Sequence, residues 1–524
     1  MSTLTALARA LAAERGIAQP ICTVRHVHVS DRPLVLIPLA LAGEANAPLA
    51  VMVGADRQSP RLIVVHQPRN RDQRFAFAAR LAGIVLAHVD SYRTAAVVTP
   101  EVGGQPAERD RDAPQIIVPN PAGIGFIRLL GRSTRFRRST GEHAVDPVVP
   151  VLGRWLTFFA ERSEYPGSCL LLAATEALAL HWASGQSPVE DLNLAALLGW
   201  IDPPPEMTGY EGAIAAEDPV IWPPAGPATD PTFDNEILAP LIAACGRSGV
   251  SDAVRERSRS SLETALSAQL VPTWTLVWRA IELLRALPAA GRLAARWDAD
   301  KGAFTSYAEF LRDGGPPQPR RDSAVAAARR LNWLERTQAS YAAQRALDDP
   351  LVLADYRLTG EAFGGPVTAA EPDRLDTAGK RRKLRPLITL ATEDPIRVEP
   401  GAVLVSPARP GQSARVVSVS ARSPDLPGAA PGSGAWSPPN AVFGAEASRP
   451  PAEVVLELSG GMGRALTAAP GSVPVVGERL CYTTLTDSYQ MHGLFPAREE
   501  TPWTHGGPPP EYVPVDADAV EEWS

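Results

Sequence analysis

Apolar residues recur at helical spacing through the middle of the chain and at strand spacing on either side of it. Leu262, Ala265, Leu266 and Leu270 predict a helix over Asp252–Leu270. Trp274, Val277, Trp278, Ile281 and Leu284 predict a second over Pro272–Ala286, with its proline at the start. Val325, Ala328, Leu331 and Leu334 predict a third over Ser323–Ala346. Further helices are expected at Met1–Gly16, Asp72–Val89, Val151–Arg162, Gly167–Ser184 and Pro188–Ile201, with a short one at Pro350–Glu361.

Strand-length apolar runs occupy Ile21–Val29, Leu34–Leu41, Leu49–Val53 and Leu62–His66, with Gly and Asp or Asn turns between the later runs. After residue 384 the pattern turns to strands again: Leu387–Ala391, Ala402–Ser406, Ala414–Val419, Val454–Leu458 and Leu480–Thr484, a number that suits a small barrel. The expected fold class is therefore multidomain α+β. An N-terminal α/β module spans residues 1–147 and a helical domain 148–365. A charged linker covers 366–385, and a β-barrel-like domain covers 386–486 with a Pro/Gly/Ser-rich insertion at 423–451. An acidic tail follows over 487–524.

Composition changes this picture in two places. The formal net charge of −7 resides in the tail, where eight acidic residues from Asp487 onward face a single arginine, Arg498, so the body is close to neutral. A neutral body excludes a non-specific cationic coat and leaves local basic patches as the sites to weigh. Nearly every cation is an arginine, the only lysines being Lys301, Lys380 and Lys383, and the Ala- and Pro-rich composition is that of a high-GC bacterial genome. The four cysteines form no CxxC pair, and no apolar run is long enough to span a bilayer. A cytoplasmic chain with reduced cysteines is expected.

Candidate chemistry is sparse. There is no phosphate-loop GxxxxGK[ST], no GxSxG elbow and no HExxH, and Ser459–Arg464 reads as a β-turn. Asp298, Asp300 and Glu309 fall at calcium-loop positions, but Gly302 and Ala303 break the register; a loop joining two helices is expected there. His26 and His28 share a strand face without further ligands in reach. No catalytic residue, metal or cofactor is assigned. Two basic clusters remain. The first holds Arg132, Arg135, Arg137 and Arg138, with Arg128 and Phe136 beside them. The second holds Lys380, Arg381, Arg382, Lys383 and Arg385. Both suit phosphate contacts, since guanidinium binds oxyanions in a fork, and both read equally as solvated charge. Trp503 and Tyr512, in the Pro-rich tail, are candidate anchors for a protein partner.

Two resemblances bear on function. Glu399–Ser406, Ala414–Ser420 and Val454–Leu458 resemble the small β-barrel inserted in superfamily-1 helicases of the RNA-surveillance type, without the motor. Leu34–Ala87 resembles the core of RecB-type nucleases in its strand order and following helix. Where such cores carry D/E-x-K, the corresponding strand here reads Ile63-Val64-Val65-His66-Gln67-Pro68-Arg69 with no such pair, so the resemblance implies a copy that does not cleave. Together these imply a non-enzymatic accessory protein in nucleic-acid transactions, acting beside a separate helicase or nuclease. The tail would be an autoinhibitory or partner-docking arm. A protein scaffold using the helical domain and tail is the alternative, and an enzyme without a recognisable motif stays open. Oligomeric state is not legible.

Overall fold

A computed structural model describes residues 2–44, 47–93, 96–100, 106–377, 382–420, 452–463 and 465–487. The insertion 423–451, Lys380, Arg381, Trp503 and Tyr512 lie outside the described residues. Two compact units are present, one reaching from the N-terminus to Tyr341 and one formed by Ala342–Tyr489.

The first unit is built on a five-stranded sheet of β1 (Leu34–Ala40), β2 (Pro48–Gly54), β3 (Arg61–Val64), β4 (Ile116–Val118) and β5 (Leu171–Ala173), in the order β3-β2-β1-β4-β5. β1, β2 and β3 run antiparallel to their neighbours, whereas β1, β4 and β5 are parallel. β1 and β2 are buried almost throughout, which is why they read as continuous apolar runs. α1 (Thr3–Arg15) opens the chain, capped by Ser2 and closed by Gly16 in the left-handed region. α2 (Arg71–Asp90) follows β3, and α3 (Pro121–Thr134) and α4 (Val148–Arg162) follow β4.

Several expectations are corrected here. Ile21–Val29 is not a strand; it holds only an isolated bridge at Arg25, and His26 and His28 share no strand face. Gly167–Ser184 is not one helix, because β5 occupies its middle and a short helix, Ala174–Ala179, its end. Since β5 pairs with β4, residues 1–147 and 148–341 share one sheet, and the boundary expected at residue 147 is not a division between units.

The two helices expected at Asp252–Leu270 and Pro272–Ala286 are one, α5 (Asp252–Ala286), with Pro272 in its interior. Pro272 brings no N–H, so the Ala268 carbonyl loses its helical donor at a typical cost of about 3 kcal/mol. The buried stripe from Leu262 through Leu266, Leu270, Trp274, Val277 and Ile281 to Leu284 offsets that cost by packing over the sheet. The supposed loop at residues 297–302 lies inside α6 (Leu293–Arg312), where Asp298 pairs with Lys301 and Arg109. α7 (Ala324–Asp348) and α8 (Pro350–Thr359) complete the helices used here.

The second unit contains a closed barrel of six antiparallel strands. These are β6 (Ala362–Glu371), β7 (Leu387–Thr392), β8 (Val403–Val405), β9 (Ser413–Ser420), β10 (Ala452–Ser459) and β11 (Arg479–Thr483), joined in the order β6-β7-β10-β9-β8-β11 and closing β11 on β6. Phe363, Leu390, Leu404, Val416, Leu456 and Tyr482 fill the interior. β6 corrects both the expected boundary at residue 365 and the linker at 366–385: it supplies the strand that closes the barrel, and Leu375–Asp376 pairs with Lys383–Leu384 as a hairpin.

Candidate functional site: an arginine-lined pocket

α3 begins where Asn120 caps its first turn, accepting from the Gly123 N–H, with Pro121 at the first helical position. Two glycines then let it lie against α4. A Cβ on Gly131 would sit 2.8 Å from the Thr157 nitrogen, and one on Gly153 would sit 2.3 Å from the Arg135 nitrogen. The close approach sets the last turns of α3 beside the face of α4 that carries Thr157, Ala160, Glu161 and Glu164. α4 is fixed from behind by aromatic packing, with Phe158 stacked on Tyr307 of α6 at 4.3 Å.

Between α3, α4, the loop before α7 and α7 itself lies a pocket of about 180 Å³. Its lining has five guanidinium groups, Arg128, Arg132, Arg135, Arg320 and Arg330, against three carboxylates, Glu161, Glu164 and Asp322, an excess of two positive charges. The arginines play different parts. Arg135 is structural: only 4% exposed, it donates from Nε to the Gln318 carbonyl at 2.9 Å and from an Nη to the Pro319 carbonyl at 3.1 Å. Its guanidinium also lies over the Phe136 ring. Gln318 in turn donates to the Tyr307 hydroxyl, so the loop is tied to α6. Glu164 bridges Arg128, at 3.0 Å, and Arg330, which also faces Asp322 at 3.6 Å. Arg132 is exposed and, among the described residues, pairs with no carboxylate. It stands one helical turn beyond Arg128 on the same face of α3.

Glu161 is half-buried and, among the described residues, makes no hydrogen bond or ion pair. Burial pushes its carboxyl above the ordinary glutamate value, while Arg330 and Arg135 pull the other way without cancelling it.

The expected contacts are thus divided. Arg132 and Arg135 line the pocket. Arg137 does not; it donates to the Ser133 carbonyl and lies over Phe75. Arg138 is exposed beyond the end of α3 and outside the pocket lining. In the second unit Arg382 and Lys383 are exposed on the hairpin, whereas Arg385 is half-buried and donates to the Leu384 carbonyl. Arg320, Arg330, Glu161 and Glu164 were not picked out as site residues. Their signal was weak: on α4 the 157, 161, 164 spacing marks one polar face, but nothing in sequence joins that face to residues 320–330.

A second polar cluster in the first unit is structural. Asp300, 1% exposed, accepts from the Cys169 N–H at 2.6 Å, the Ser168 hydroxyl at 2.7 Å and Arg162 at 2.9 Å. Burial pushes the Cys169 thiol up to about 12, which leaves it without nucleophilic thiolate at neutral pH. His28 stacks on Trp297 at 3.9 Å, and burial lowers its pKa to about 4. These groups hold β5 and the N-terminal segment to α6. Among the described residues no helix is long and apolar enough to cross a membrane. No protein-family model, curated protein or solved structure matches the chain.

Proposed function

We propose that this protein is a non-enzymatic accessory factor in nucleic-acid transactions, acting beside a separate helicase or nuclease and holding phosphate in the arginine pocket. The observation that carries the reading is Arg132, an exposed guanidinium that meets no carboxylate among the described residues, in a concavity whose described lining, with Arg132 counted, is two charges positive. A fork of donors left open in such a place suits a phosphate oxyanion. Arg382 and Lys383 on the hairpin are read as auxiliary backbone contacts, which position a strand without reading its sequence.

The reading without cleavage rests on the resemblance of Leu34–Ala87 to nuclease cores, a stretch that forms the antiparallel β1-β2-β3 set and the helix after it. On the strand that would carry D/E-x-K stand buried Ile63, Val64 and Val65 and a partly exposed His66, which lies 3.0 Å from Glu263. A hard divalent cation would find no pair of oxygen ligands on that stretch.

The test is binding of labelled single- and double-stranded DNA and RNA by the full chain over a salt series. A steep loss of affinity as salt rises is expected, because each neutralised phosphate releases counterions. No binding at low salt would overturn the reading. Exposed Val403, Val475 and Val476 on the barrel unit favour the second reading, a protein scaffold, for which partner binding would be nearly indifferent to salt.

A further inference from the structure

Resting on the nucleic-acid reading above, we infer that the pocket takes a terminal phosphate monoester, the charged end of a strand, in preference to the phosphodiesters along it. Three observations favour an end group. The cations converge from three elements on one concavity instead of lining a track. The concavity, of about 180 Å³, is bounded by α3, α4 and the segment leading into α7. A concavity of that kind suits one anionic group at a chain end, whereas an internal diester must continue into a nucleotide on each side.

The charge agrees. With its carboxylates ionised the lining carries two positive charges in excess. A monoester carries about −1.5 to −2 at neutral pH, and a diester carries one negative charge. The carboxylates also give selectivity, because Glu164 between Arg128 and Arg330 fixes those two forks while leaving Arg132 open. Glu161, without a hydrogen bond among the described residues, can take up a proton as the monoester enters, which raises the excess from two to three, and donate it to one of the additional oxygens.

The experiment compares one single-stranded oligonucleotide carrying a 5′-phosphate, a 3′-phosphate or hydroxyls at both ends, together with its covalently closed circle. The full-length protein is used at fixed pH and salt. At least one phosphorylated form is expected to bind about tenfold or more tightly than the hydroxyl-ended and circular forms, the scale of a charge-assisted contact. That preference should vanish in Arg132→Ala and persist in Arg138→Ala, which lies outside the pocket. Inorganic phosphate should compete with the phosphorylated end. Equal affinity for all four forms would overturn the end-group inference and leave the nucleic-acid reading standing; binding of none would overturn both. Displacement by a phosphoserine peptide at lower concentration than by the phosphorylated strand would overturn the assignment to nucleic acid.

Discussion

Arginine meets carboxylate in both units, with opposite results. On the barrel, Arg374 and Arg415 share Glu457, at 2.9 and 2.6 Å, and Arg415 stands directly across the β9–β10 ladder from it. Burial tends to raise the Glu457 carboxyl, but the hydrogen bonds from Arg374 and Arg415 outweigh it and hold the group below its ordinary value. Both cations are spent in tying the hairpin at residue 374 to the sheet. In the first unit five arginines meet three carboxylates in a hollow, and the register of α3 leaves Arg132 over. Density of basic residues in sequence does not separate a clamp from a binding site. The number of carboxylates that reach each guanidinium does.

Breaking the helix contact that makes the pocket should have the largest effect. Gly153→Ala would drive a Cβ into the Arg135 backbone, for which a loss of about 3 kcal/mol is expected. Chemical denaturation followed by the tryptophans of the first unit should show it, with phosphate binding lost as well. Next, Glu457→Ala leaves two guanidiniums without their acceptor. Because both arginines are partly exposed, a loss of about 1–2 kcal/mol is expected, seen as a lower unfolding midpoint. Arg132→Ala should do the reverse, leaving stability within about 0.5 kcal/mol and weakening oligonucleotide binding about tenfold.

The smallest effect concerns pH. The Glu161 carboxyl is raised in the folded protein, so the native state holds its proton more tightly than the unfolded chain does. Stability contributed by Glu161 is therefore present at acidic pH and falls as pH rises from the ordinary glutamate value through the raised one. Glu161→Gln should remove that decline, and unfolding curves of the two proteins across this window should diverge toward neutral pH, the variant being the more stable.

Much of the fold was legible because buried strands and amphipathic helices carry their own periods. β1, β2, α2 and the five expected barrel strands lie within a few residues of the expected bounds. The misses share a cause, a tertiary partner overriding a local signal. β5 hides in the apolar run 169–183 because a parallel strand buried on both faces has no alternation to distinguish it from a helix. β6 lies across the expected boundary at residue 365 because the polar stretch from Pro366 has the character of an exposed linker and Gly364 and Gly365 carry no strand signal. Yet Gly365 sits where a Cβ would meet the Ala391 carbonyl, so the barrel requires that glycine. Pro272 stands inside α5 because packing over the sheet outweighs the missing hydrogen bond. For the site, the arginine cluster was visible, but the α4 and α7 side chains that decide which arginine stays open are brought in by the fold.

The central claim is that Arg132 in the pocket, and not the exposed hairpin cations, makes the principal phosphate contact. The most direct measurement is the affinity of one 5′-phosphorylated single strand for the wild type, Arg132→Ala and Lys383→Ala at a single low salt concentration. The expected result is a loss of about tenfold for Arg132→Ala and about twofold for Lys383→Ala. An unchanged affinity for Arg132→Ala, or a larger loss for Lys383→Ala, would contradict it.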